Sequence, residues 1–287
     1  MKFRSFALMI AGLFLSVMTA GAVVWDVGGD GKKGLPEAID ALQVAGGIRS
    51  STDFTNTLGM TFNLIPAGTF MMGSTYDSSQ QPIHGVTLTQ PFYMMTTEVT
   101  QAQWQAVMGS NPSNFTACGG DCPVEQVSWD DIQAFITAIN ALGEGTYFLP
   151  TEAQWEYACR AGSATDFANG NMTEAACGLD PNLDVMGWYC YNAGSTTHPV
   201  AQKQANTWGL YDMHGNVWEC CADYWYSDYP SAWVTDPEGP TSGSDRVERG
   251  GCWNAGARRC RSADRGGDSP DCRDNDMGFR LAGFPGQ

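Results

Sequence analysis

Basic charge is scarce in this chain: Lys and Arg together number 15 against 31 Asp and Glu, and only four of the 15 are lysines. The formal charge of −16 includes Lys2 and Arg4 at the extreme N-terminus; without them thirteen basic residues face 31 acidic ones, a net of −18. Duplex nucleic acid and anionic membrane surfaces are therefore poor general partners, because both are bound by setting Lys and Arg against phosphate. Histidine is scarcer still. The three, His84, His198 and His214, are far apart in sequence with no Ser or Cys at a telling spacing, so each is expected to be structural. No long apolar run follows the first twenty residues, so no membrane-spanning helix, which needs about 20 apolar residues, is expected.

What is present begins with an export signal. Lys2 and Arg4 precede an apolar run from Phe6 to Val17, and Ala20-Gly21-Ala22 supplies a small-residue cleavage pattern. Residues 1–22 read as a signal peptide and the protein as secreted, periplasmic or cell-surface, with no Cys near the cut to carry a lipid anchor. All ten Cys lie beyond it, and an oxidising compartment favours pairing them into several disulfides. Cys118 and Cys122 are expected to bond to each other, since a zinc reading of that segment lacks a second ligand pair. Cys220 and Cys221 are adjacent, so on extended backbone they face opposite sides and should have different partners.

Directly after the signal, residues 23–45 contain an EF-hand-like spacing. An EF-hand loop needs acidic oxygens at positions 1 and 5, Gly at 6, a backbone carbonyl at 7 and a bidentate Glu at 12. Asp26, Asp30, Gly31, Lys32 and Glu37 occupy those places, with Gly28 where Asp or Asn is usual. The segment resembles the calcium loop of dockerin-type and EF-hand-type repeats, in a single copy; the competing reading is an acidic, Gly-rich turn. Residues 46–59, rich in Gly, Ser and Thr, read as a linker.

Residues 60–287 mix short strands with a few capped helices. Strands are predicted at Phe62–Ile65, Phe70–Met72, Phe92–Met95, Trp208–Tyr211, Arg246–Trp253 and Gly278–Ala282. Thr100 with Gln103 and Thr151 with Gln154 form capping-box signatures, and Ser128 caps a longer helix through Asp131, Phe135, Ile136, Ile139 and Leu142. Such an order implies an α+β domain, loop-rich, with few helices and short antiparallel strands. Between Arg246 and Arg280, eight Arg meet six acidic residues, a near-neutral island in an acidic chain. Paired Arg forks serve an internal network and a binding surface equally well.

Several motifs, in order, carry a resemblance: Pro66-Ala67-Gly68-Thr69-Phe70, Glu98-Val99-Thr100, Val127-Ser128-Trp129, Leu149-Pro150-Thr151-Glu152 through Ala158, Gly209-Leu210-Tyr211 through Glu219, Arg249-Gly250-Gly251 and Gly278-Phe279-Arg280. Together they resemble the formylglycine-generating enzyme, or sulfatase-modifying factor, family. The resemblance implies a C-type-lectin-like fold. It also implies a calcium in the core, held by the side chains of Asp212 and Glu219 and the carbonyls of Gly215 and Val217, oxygen donors suited to that hard ion.

The same resemblance marks a departure. The family's oxidase converts a sulfatase Cys to formylglycine with copper on two thiolates, a soft-donor choice. Those Cys follow the Arg-Gly-Gly strand. Here the matching stretch, Trp253 to Ala257, is shorter and carries no Cys, His or Tyr, while Cys252 falls where Ser is usual and Cys260 lies beyond the gap. Copper and oxidase activity are therefore not expected. Nor does the chain carry the His-bearing helical bundle of the family's iron-dependent sulfoxide synthases.

The tail is instead similar to the variable proteins diversified by retroelements, in which Asn codons are rewritten within a fixed Arg-Gly-Gly to Gly-Phe-Arg frame. The matching positions are Cys252, Asn254, Ala255, Gly256, Arg259, Asp264, Gly266, Gly267, Asp268, Cys272, Asp274, Asn275 and Asp276, each encodable by a C-ending codon. A polar loop in an undiversified family member is the competing reading. On the first reading Trp253, Arg258, Arg261, Arg265, Asp271, Arg273 and Arg280 hold the backbone while the residues between them face a ligand. The whole chain then reads as a secreted, calcium-stabilised binding protein for an unidentified protein or carbohydrate outside the cytoplasm. The alternative is a formylglycine-generating oxidoreductase or related enzyme with a non-standard active site.

Overall fold

A computed structural model describes residues 53–286; residues 1–22, expected as a signal peptide, and the expected calcium loop with Asp26, Asp30, Lys32 and Glu37 lie outside the described residues. Among the described residues, twelve strands form three small sheets, with four short α-helices and long loops between them. The strands are β1 (Asp53–Thr55), β2 (Thr61–Ile65), β3 (Gly68–Met72), β4 (His84–Leu88), β5 (Phe92–Met95), β6 (Gly145–Phe148), β7 (Trp218–Tyr224), β8 (Val234–Thr235), β9 (Arg246–Arg249), β10 (Arg265–Asp268), β11 (Met277–Gly278) and β12 (Ala282–Pro285). The helices are α1 (Gln101–Met108), α2 (Trp129–Asn140), α3 (Glu152–Arg160) and the single turn α4 (Pro181–Asp184).

The two capping boxes form as the spacing predicts, and the Ser128 cap proves to be a third, closed by Asp131. Thr100 accepts from the Gln103 amide while Gln103 accepts from the Thr100 amide, and Ser128 with Asp131 and Thr151 with Gln154 repeat the exchange. The three- and four-residue spacing of Ile132, Phe135, Ile136 and Ile139 buries one face of α2, where Phe135 stacks on Trp104 of α1 and meets Phe279 edge-on. That cluster fills the space over the five-stranded sheet, whose order is β1-β2-β5-β12-β6. The chain's last strand is thus internal: Ala282 pairs with Met94 on one side and Phe148 on the other. A second core, around Trp155 and Ala158 of α3, lies against the three-stranded sheet β3-β4-β8 and the four-stranded sheet β10-β9-β7-β11.

Several expectations change. Residues 53–59 are not linker, because β1 pairs with β2 in register Phe54 to Phe62; the domain starts before Met60. Trp208–Tyr211 is a turn: the Asn206 carboxamide accepts from the Trp208 and Leu210 amides and donates to Ala158, local bonds that replace a ladder. The strand from Arg246 stops at Arg249, because Gly250 and Gly251 adopt φ of +95° and +73°. Strand β7, which sequence patterning missed, is buried on both faces and shows no alternation. Cys118 and Cys122 are bonded as expected, and Cys177 joins Cys190; the remaining six Cys are thiols. Cys220 and Cys221 do point to opposite sides, one into each core, but neither has a disulfide partner.

Candidate functional site

The C-terminal segment is built on an ionic frame. Arg249 at the end of β9 pairs in register with Arg265 at the start of β10, and both turn inward to the first two turns of α3. Arg265 grips Glu152 through two bonds of 2.7 Å, while Arg249 reaches Glu152 at 3.3 Å and bonds Glu156, whose other oxygen takes Arg160 at 2.7 Å. The spacing of four residues puts both Glu on one face of α3. Burial alone would raise Glu156, but Arg160 and Arg249 hold its carboxyl below the ordinary value. Arg261 bonds the Gln80 side chain and Asp264 and lies over the Tyr76 ring. Arg280 binds Glu219 through both Nε at 2.7 Å and Nη2 at 2.6 Å. These four Arg are all buried, and bidentate forks of this kind fix direction as well as distance.

On this frame the predicted ligand-facing residues divide. Asn254, Arg259, Gly267 and Asp274 are exposed; Ala255, Gly256, Gly266, Asp268, Cys272, Asn275 and Asp276 are half-buried. Two are inside and cannot meet a ligand directly. The Cys252 thiol, buried, contacts Asn254 and Asp276, and Asp264 accepts from Gln80 and Arg261 while burial raises it to about 6. Gly266 and Gly267 have little freedom to vary, since a Cβ on them would lie 2.5 Å from the Glu248 carboxylate and 2.9 Å from the Trp225 ring. Conversely Arg258, Asp271 and Arg273, expected in the frame, are exposed, and Arg273 ties the surface to α2 through Asp131 at 2.7 and 2.8 Å. Trp253 is pinned by its indole N–H to the Asn275 carbonyl and packs edge-on to Phe115. Residues 255–258 hang on the loop stapled by Cys177–Cys190: Ala257 and Arg258 donate to Ala176 and Ala175, and Cys190 donates to Ala255. At the edge of this face burial, then Asp268, pushes Glu248 up to about 8.

The thiols and imidazoles offer little chemistry. Burial raises Cys252 and Cys260 well above the ordinary thiol value, so neither is a ready thiolate. Cys159 lies 3.8 Å from the His214 ring, but burial raises the thiol to about 12 and lowers the imidazole to about 4. His214 is otherwise engaged, accepting at Nε2 from the Ala168 amide and facing the Cys260 carbonyl through Nδ1. His198 stacks on Trp188 and His84 packs at a tilt against Tyr229, which fits the structural role expected of all three.

The loop in which the resemblance implies a core calcium is only partly open. Glu219 accepts from Arg280 on both oxygens, and its Oε2 also accepts from the Trp155 indole at 2.7 Å. Asp212 is buried, held at Oδ2 by the Ala201 amide at 2.7 Å, with Oδ1 unpartnered. Nearby Glu98 is fully buried with neither oxygen bonded; burial, then Asp212, raises its carboxyl well above the ordinary value. Sequence reading quoted Glu98 in a motif and gave it no role. The signal was a carboxylate between Thr97 and the core residue Val99. The orphaned oxygens of Glu98 and Asp212 suit a hard cation.

Residues 51–283 match the sulfatase-modifying factor enzyme 1-like domain. The formylglycine-generating enzyme of Mus musculus is 31% identical over 246 residues, covering 81% of this chain and 63% of that protein; the chain thus spans less than two thirds of that relative. Treponema denticola variable protein 1 superposes with a TM-score of 0.75 at 33% identity, covering 82% of this chain and 100% of that one. PvdO from Pseudomonas aeruginosa follows with a TM-score of 0.70 at 26% identity, over 82% of this chain and 99% of the other. With its capped helices, internal last strand and Arg–Glu frame, the chain belongs to the sulfatase-modifying factor enzyme 1-like family.

Proposed function

We propose that this chain is an exported binding protein in which the sulfatase-modifying-factor scaffold displays the residues between 254 and 276 to a protein or carbohydrate outside the cytoplasm. One observation carries the reading: buried Arg249, Arg261, Arg265 and Arg280 hold the backbone, while Asn254, Arg259 and Asp274 at the surface make no contribution to that frame beyond a 3.4 Å contact of Arg259 with Asp264. Exchange at such positions leaves folding intact and changes what is bound. The likeness to a variable protein supports this division.

Calcium belongs to the same reading. Asp212, with the carbonyls of Gly215 and Val217, would hold one ion in the core, and the loop of Asp26, Asp30, Lys32 and Glu37 a second; each neutralises carboxylates and fixes a loop. The likeness to formylglycine-generating enzymes favours the oxidase as the second reading, but Trp253 to Ala257 offer no thiolate pair for copper.

Two measurements decide between them. Purified chain supplied with Cu(I), oxygen and a synthetic thiol peptide should yield no aldehyde; aldehyde product overturns the binding reading. Sequencing the gene across a natural population should place substitutions at codons 254–256, 259 and 274–276, with Arg249, Arg261, Arg265 and Arg280 constant. Substitutions spread evenly over frame and surface would count against a displayed face.

A further inference from the structure

Inside the domain, the carboxylates of Glu98, Asp212 and Glu219 lie within electrostatic reach of one another, with Arg280 beside them. Arg280 spends its fork on Glu219 and donates its other bonds to the carbonyls of Met95 and Tyr211. One positive charge therefore stands against three potential negative ones. The two backbones that carry Glu98 and Asp212 are locked side by side, since the Tyr211 amide donates to the Thr96 carbonyl at 2.8 Å and Arg280 bridges both segments. Glu98 is 0% exposed and Asp212 1%, yet Glu98 Oε1 and Oε2 and Asp212 Oδ1 have no protein donor.

A buried carboxylate without a donor is strongly disfavoured, and folds that keep one pair it with a cation. Among the described residues no cation remains for this pair: Lys203, the other basic group near Asp212, donates to the Asp184 carbonyl at 2.6 Å and lies over the Trp188 ring. We infer that Glu98 is a further carboxylate that joins Asp212 in binding a calcium-class divalent cation. Among the described residues no three His, Cys, Asp or Glu converge as a ready cage, so carbonyl and water oxygens complete the shell, which calcium accepts readily. Asp212 adopts φ of +57° and Gly215 +104°, so this loop turns sharply beside the buried pair. The inference rests on the calcium part of the proposed function and is independent of what the outer face binds.

The test uses the full mature chain carrying Glu37→Gln, which removes the bidentate ligand of the N-terminal loop, titrated with calcium chloride after chelation and melted with and without the ion. The parent should take up one ion and melt higher with it. Adding Glu98→Gln should weaken binding at least tenfold and, in chelator, melt at or above the parent, because an uncompensated buried charge has been removed. Asp212→Asn, which keeps the acceptor for the Ala201 amide, should behave alike. Retention of affinity within twofold in the Glu98→Gln chain overturns the role of Glu98 while leaving core calcium standing. Loss of affinity together with a lower melting point in chelator marks a structural role and overturns it as well. No calcium uptake by the parent removes both the inference and the core calcium it rests on.

Discussion

The C-terminal segment contains two populations of arginine that differ only in where the chain puts them. Arg249, Arg261, Arg265 and Arg280 are buried, and three of them meet Glu on α3 or β7, whereas Arg258, Arg259 and Arg273 are exposed, with Arg273 paired to a partly exposed Asp131. The difference teaches that charge density in this stretch is not itself the binding signal. Half of it is skeleton, bought with matched carboxylates on another element, and the other half is free to change.

The contrast breaks most visibly from the buried side. Glu152→Gln leaves Arg265 and Arg249 short of their common partner and should cost about 3–5 kcal/mol in urea unfolding, as expected when one member of a buried ion pair is removed. A loss below about 1 kcal/mol would show that the frame does not hold the segment.

Acidity sharpens it. Burial, then neighbouring Glu152, raises Asp223 to about 7 from an ordinary 3.8. Because the folded value is the higher one, the stability it contributes is complete below about pH 4 and disappears as pH rises through 7. Asp223→Asn keeps an acceptor for the Glu152 amide and should flatten that decline by on the order of 3 kcal/mol, read from unfolding midpoints between pH 4 and 8. An unchanged slope would refute the assignment.

The support beneath the outer face comes next. Replacing Cys177 and Cys190 with Ser opens a loop of 13-residue separation and should cost about 2–3 kcal/mol, with faster amide exchange at Ala257 and Arg258 but not at Arg249. Uniform exchange would mean that skeleton and surface loosen together. Smallest of all, Asn254→Ala and Asp274→Ala should stay within about 0.5 kcal/mol of the parent.

Much of this division was legible in the sequence. Two capping boxes and the Ser128 cap named three helices to within a residue or two, because they are local, and Arg280 of the Gly-Phe-Arg motif was placed in the frame where it lies. What escaped depends on tertiary pairing. Strand β7 has no periodicity since both faces are covered, and Asn206 turns an apolar run that reads as a strand. Cys252 and Asp264 read as surface because their codons and polarity fit, but Asp276 and Gln80, distant in sequence, draw them inside. Arg258 and Arg273 erred the other way, since no local pattern tells which guanidinium finds a buried carboxylate.

The place of β12 between β5 and β6 has a genetic corollary. Any shift of reading frame within codons 252 to 276 deletes the strand that knits the largest sheet together, leaving β6 without its neighbour. Only in-frame changes can yield a domain that closes, so folding itself screens out damaged copies.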